Sequence, residues 1–190
     1  MKKILVVNNN DSFVYNLVEL LRGKCSFDVV LTQNLYKGIE SNYNMLLLSP
    51  GAGLPNNYPQ MMQLIKRCSN THSIFGVCLG CQAIAEAFGA TLMQLPQPKH
   101  GHCSTLQILE GSELLFKNVP LKSNIGRYHS WVINPSSIPD SLKIIATDEE
   151  NNIMAIRHAT LPIYGVQFHP ESIISDYGKI ILENWDCFIM

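Results

Sequence analysis

Two patterns of apolar spacing divide the chain. In the first, short unbroken apolar runs alternate with stretches whose apolar residues recur at helical spacing. Residues 4–7 read as a fully buried strand, and 27–31, 45–48 and 73–77 as further strands. Between them, Phe13, Val14, Leu17, Val18 and Leu21 mark a helix that Asp11 or Ser12 can cap and that stops near Gly23. Met61, Ile65 and Cys68 mark a second helix behind a Pro-rich loop, and residues 82–88 a third. Strands alternating with helices predict a parallel sheet covered on both faces.

After Phe88 the texture changes. Residues 91–93, 104–109, 128–133, 142–146, 153–157 and 163–168 read as strands, with Gly, Pro and Asn at the turns. This half is expected to be antiparallel or mixed, with its last strand returning to the main sheet. Tyr177, Ile181, Trp185 and Phe188 form the stripe of a C-terminal helix. The fold expected is α/β: an open, mostly parallel sheet with helices on both faces and a smaller antiparallel or mixed region in the second half. No repeat, linker or low-complexity stretch interrupts it, so residues 1–190 read as a single domain.

Composition narrows the class. A chain of 190 residues, 46% apolar, can bury a full core. A net charge of −1 leaves no electrostatic footprint for nucleic acid or an acidic membrane surface. Only 15% of residues are charged, which points to a covered surface and hence a protein partner. The N-terminal apolar run is too short for a signal peptide, and no stretch approaches the ~20 apolar residues of a membrane span. Six cysteines, at 25, 68, 78, 81, 103 and 187, form no regular framework, so a cytoplasmic protein with free thiols is expected.

One of those cysteines carries the chemistry. Gly76-Val77-Cys78-Leu79-Gly80 joins a strand to a helix, with a glycine two residues away on each side of Cys78. That is the spacing of a nucleophile elbow, in which close packing leaves no room for Cβ atoms. Cys78 is expected at the positive end of a helix, which favours thiolate. A thiol nucleophile needs a base and a group to hold the base. His169 and Glu171, in Gly165-Val166-Gln167-Phe168-His169-Pro170-Glu171-Ser172, supply them at the end of another strand. An extended segment would put both side chains on one side. A carbonyl under attack needs donors for its developing negative charge, and the N–H groups of Leu79 and of the Gly51 loop are placed to give them. Gln82, one helical turn after Cys78, can face the pocket and bind a polar substrate end.

Together with Ser49-Pro50-Gly51 and Arg127-Tyr128-His129-Ser130, these motifs resemble the class I (triad) glutamine amidotransferases. Asn9-Asn10-Asp11-Ser12-Phe13-Val14-Tyr15-Asn16-Leu17 narrows the resemblance to the glutaminase subunits of anthranilate synthase and aminodeoxychorismate (para-aminobenzoate) synthase. The resemblance implies a flavodoxin-like fold with Cys78 as nucleophile, His169 as base and Glu171 as its partner. Gly51 and Leu79 become the oxyanion-hole donors, and Gly51, Ala52, Gly53, Leu79, Gln82, Ser130 and Trp131 the contacts to glutamine. It further implies glutamine as substrate, ammonia delivered to a chorismate-using synthase subunit, and neither metal nor cofactor. Three departures stand out: Cys81 where relatives usually carry His, Ala52 where Pro is common, and Trp131 where Leu is common. The last bears on the fit around glutamine.

Two other readings compete. Cys78-Leu79-Gly80-Cys81 spells a Cys-x-x-Cys motif at a helix start, which would suit a thiol–disulfide or redox-sensing protein. His100, His102 and Cys103 are too few and too close for a convincing metal site. The resemblance instead puts His100-Gly101 in a loop near the partner interface.

Overall fold

The computed structural model describes residues 3–109 and 114–187. In order they form β1 (Lys3–Asn9), α1 (Val14–Glu19), β2 (Ser26–Leu31), β3 (Met45–Gly51), α2 (Pro59–Cys68), β4 (Ser73–Val77), α3 (Leu79–Ala87), β5 (Leu92–Ile108), β6 (Lys122–Ile133), β7 (Leu142–Thr147), β8 (Ile153–His158), β9 (Ile163–Val166) and α4 (Gly178–Cys187). All nine strands make one sheet, in the order β2-β1-β3-β4-β9-β8-β7-β5-β6. The first five pair in parallel; from β9 onward the pairing is antiparallel. The expected α/β fold is present, with the last strand of the second half inserted beside β4.

The two-residue alternation of β1 divides the core. Ile4 and Val6 pack with Val14 and Leu17 of α1 and with Ile181 and Trp185 of α4. Leu5 and Val7 pack with Met61 and Ile65 of α2 and with Ile84 of α3. Helices therefore cover both faces, which is why β1, β3 and β4 read as unbroken apolar runs. Trp185 closes the first layer: its ring lies 5.3 Å from that of Phe75, and its indole N–H donates to Ser73 Oγ at 2.9 Å. Phe188, expected in the same stripe, lies outside the described residues.

Several expectations need correction. Residues 91–93 and 104–109 are not separate strands; they are the ends of β5, which pairs with a β6 that begins at Lys122 rather than residue 128. Pro96, Pro98 and Gly101 break the sequence signal, and the structure accommodates them through register shifts between Gln94 and Lys99 and between His100 and His102. His100 and Gly101 thus belong to a strand, not a loop, and Gly101 takes the positive φ of 64°. Likewise Ser49, Pro50 and Gly51 extend β3, so the loop begins at Ala52.

The sheet order decides where chemistry can occur. β3, β4 and β9 are parallel neighbours, so their carboxyl ends share one rim. Gly51, Cys78 and the segment leading to His169 are all at that rim.

Candidate active site

Cys78 lies in the turn between β4 and α3 with φ 52° and ψ −104°. Such a conformation costs about 1–3 kcal/mol for a non-glycine residue and persists only where the surroundings impose it. Here they do. A Cβ on Gly76 would overlap the Gly80 carbonyl, and one on Gly80 would overlap the Leu48 carbonyl. The Cys78 N–H donates to Val166 O at 2.8 Å, fastening the turn to β9. Leu79 opens α3, so its N–H is one of the four that a helix leaves without an internal acceptor.

His169 follows β9 and makes an isolated bridge to Gly126. Its Nδ1 is 2.7 Å from Glu171 Oε1, and both side chains are almost wholly buried. The segment is not extended as the sequence suggested. It is a turn, closed by Ser172 N–H donating to His169 O at 3.2 Å, with Pro170 and Glu171 at its centre. The turn folds the carboxylate back onto the ring. Phe13 and Tyr128 hold the imidazole edgewise, at 5.3 and 4.9 Å between centroids. Phe13 belongs to the N-terminal motif, which thereby gains a structural role at this site.

Burial alone would lower the His169 pKa; the Cys78 sulfur and then Glu171 outweigh it and raise it to about 10. Nε2 nevertheless has no aligned hydrogen bond. The ring and the sulfur interact electrostatically without a closed contact, a looseness common in sites without substrate.

A cleft of about 320 Å³ opens beside Cys78. Gly51, Ala52, Gly53 and Gln82 form one side of it; Ser130 and Trp131 of β6 and Lys99 and His100 of β5 form another. Gln82 does not offer its whole amide to this cleft. Its Nε2 donates to Trp131 O at 2.8 Å and to Gln167 Oε1 at 3.0 Å, leaving Oε1 as the atom available to the cleft. Behind the wall, Arg127 pairs with Asp148, both fully buried. Asp148 also accepts from the Asn152 N–H and Nδ2 at 2.7 and 2.9 Å, while Arg127 Nη2 is buried without a partner among the described residues. Arg127 Nε donates to His129 Nε2 at 3.1 Å, so His129 carries its proton on Nδ1, which donates to Trp131 O at 3.1 Å. Burial, then Arg127, depresses His129 to about 3 and keeps it neutral.

The two histidines give the fold opposite pH responses. His169 is raised from 6.5 to about 10, so its stabilisation is complete below 6.5 and is lost as pH climbs toward 10. His129 is lowered from 6.5 to about 3, so stability falls as pH drops from 6.5 toward 3, where the unfolded chain takes up a proton and the folded one does not. Each limb should slope by at most about 1.4 kcal/mol per pH unit. Thermal unfolding across pH is expected to show His129→Gln flattening the acid limb and His169→Gln the alkaline limb. Unaltered limbs would contradict the assigned charge states.

Cys81, the second half of the Cys-x-x-Cys motif, is fully buried, and a Cβ on Gly165 would lie 2.7 Å from its sulfur. Burial, then the neighbouring Cys78, pushes its thiol well above the ordinary range. A resolving thiol must ionise to act, so the geometry favours Cys78 with His169 over Cys78 with Cys81. The sequence alone gives no role to Gln167, Arg127 or Asp148. Gln167 and Arg127 lay inside the quoted motifs, but their roles depend on partners more than 20 residues away.

The fold and rim geometry define an α/β protein with an elbow-borne cysteine beside a histidine–glutamate pair. Residues 5–187 match the family model "Glutamine amidotransferase class-I", and the chain belongs to that family. A relative from Haemophilus influenzae, named "Putative anthranilate synthase component II", is 44% identical over 184 residues, covering 96% of this chain and 95% of that one. The Bacillus subtilis "Aminodeoxychorismate/anthranilate synthase component 2" is 37% identical over 186 residues, 96% of this chain and 94% of that one. Among solved structures, a "putative gmp synthase subunit a protein" from Thermoplasma acidophilum superposes with a TM-score of 0.86 at 26% identity, covering 97% of this chain and 92% of that one.

Proposed function

We propose that the chain is the glutaminase component of a chorismate-using synthase, making ammonia for anthranilate, for aminodeoxychorismate, or for both. The carrying observation is the strained Cys78 turn facing His169–Glu171 across one rim, in a chain matched nearly end to end by component II proteins. Cys78 attacks the side-chain amide carbon of glutamine. The oxyanion is held by the backbone N–H groups of Leu79 and Gly51, a type of contact worth about 3 kcal/mol each. His169, charged through its pairing with Cys78 and Glu171, gives its proton to the amide nitrogen as the C–N bond breaks, so that ammonia departs and the ring is left neutral. It then takes a proton from the water that hydrolyses the glutamyl thioester, releasing glutamate and freeing Cys78. Ala52, Gly53, Gln82, Ser130 and Trp131 bind the rest of the substrate. Free thiols at Cys68, Cys78, Cys81 and Cys103 suit a cytoplasmic setting.

The unaligned His169 Nε2 fits a glutaminase that its partner switches on. The test is to assay the purified chain alone and with the chorismate-using protein that co-purifies with it. Glutamine turnover should rise at least about tenfold on addition of that partner, the effect of ~1.4 kcal/mol of improved alignment. Full turnover by the chain alone, or failure to retain any chorismate-using protein, would overturn the assignment.

A further inference from the structure

Gln167 is wholly buried one residue beyond β9, and its carboxamide orientation is fixed without ambiguity. The Trp131 carbonyl can only accept. Gln82 must therefore turn its NH2 toward it, at 2.8 Å. The same Gln82 nitrogen is 3.0 Å from the Gln167 carboxamide, which must present its oxygen there. The Gln167 NH2 is then left facing the Cys78 sulfur at 3.6 Å. Flipping Gln167 would set its NH2 against that of Gln82, and flipping Gln82 would set its oxygen against the Trp131 and Gln167 oxygens.

We propose that Gln167 is a catalytic residue of this site, a hydrogen-bond donor that stabilises the Cys78 thiolate, with Gln82 as the positioning residue that aims it. The proposal rests on Cys78 being the nucleophile. A buried NH2 group needs an acceptor. Among the described residues, the sulfur is the only one this NH2 has. A neutral thiol accepts weakly, while a thiolate accepts strongly. Burial of this donor against this atom therefore favours the ionised state, in which the thiol proton has moved to His169 Nε2. The bond adds to what the helix terminus and the imidazolium supply. It also ties the nucleophile to the cleft wall, because the chain of amides ends at Gln82 and Trp131, two of the residues proposed to meet glutamine.

The other titratable groups around the sulfur are His169 beyond β9, with Glu171 behind it, Cys81 on α3, and across the cleft Lys99 and His100 of β5 and Tyr128 and His129 of β6; none is altered in the test. Iodoacetamide labelling of the Cys78 peptide, followed by mass spectrometry over about pH 5 to 9, is compared in wild type, Gln167→Met and Gln167→Glu, each in complex with its synthase partner. Gln167→Met keeps the volume and removes the donor. Its labelling midpoint should move up by about one pH unit, about tenfold slower labelling on the acid side. Glutaminase kcat should fall similarly while KM for glutamine stays within about twofold. Gln167→Glu keeps an acceptor for Gln82 but turns oxygen toward the sulfur, and should shift the midpoint further. It also serves if the Met variant fails to fold. Superimposable labelling profiles in a folded variant would overturn the role of Gln167. That result differs from failure of the nucleophile reading, which would show as glutamine turnover surviving in Cys78→Ala.

Discussion

Replacing Cys78 with alanine is expected to abolish glutamine-dependent synthesis by the complex while leaving ammonia-dependent synthesis intact. The expected loss is roughly 10⁴- to 10⁶-fold, the scale seen when a covalent nucleophile is removed. The turn places one sulfur at the carboxyl end of β4, and the glycines around it admit no rearrangement that could bring a substitute. Cys81 is packed against Gly165 with its thiol held protonated. The synthase partner would still receive ammonia from solution, so its own chemistry should persist. The alanine side chain matches the Cβ already present, and the fold should be unchanged. Parallel assays with glutamine and with ammonium salts check both halves. Retained glutamine-dependent activity would remove Cys78 from the mechanism; loss of both activities would point to a damaged interface.

Glu171→Gln is the second large effect. Its Oε1 accepts the hydrogen bond from His169 Nδ1–H at 2.7 Å, and its Oε2 is buried without a partner among the described residues. The substitution keeps the shape but removes the charge that supports the imidazolium, and it forces a buried NH2 into a place with no acceptor. The ring loses both its fixed tautomer and part of the force that holds it protonated. Loss of an equivalent carboxylate in other triads lowers kcat about 10⁴-fold, and a fall of roughly 10³- to 10⁴-fold is expected here. KM for glutamine should change little, because Glu171 touches the ring and not the cleft. Steady-state kinetics on the complex separate the two constants. A change confined to KM would place Glu171 in substrate binding.

Much of the fold was legible because burial wrote it into the sequence. β1, β3 and β4 are covered on both faces, so they appear as unbroken apolar runs. The β5–β6 arm was not legible, since most of its first strand is exposed and carries two prolines and a glycine. Its order comes from pairing with β6, which a scan along the chain cannot see. The Cys78 turn announced itself through Gly76 and Gly80, and the structure gives the reason in two backbone overlaps. His169 and Glu171 meet through a turn, where their spacing in the sequence suggests an extended segment. The Arg127–Asp148–His129 cluster was hidden because Asp148 sits in the turn between β7 and β8, and reaches Arg127 only once β5 lies between β6 and β7.

The most direct measurement is mass spectrometry of the complex quenched during glutamine turnover. A glutamyl adduct on the peptide containing Cys78, absent from Cys78→Ala and disappearing once glutamine is exhausted, is the predicted result. A complex that consumes glutamine at full rate with Cys78 never modified, or with the adduct on another residue, would contradict the account.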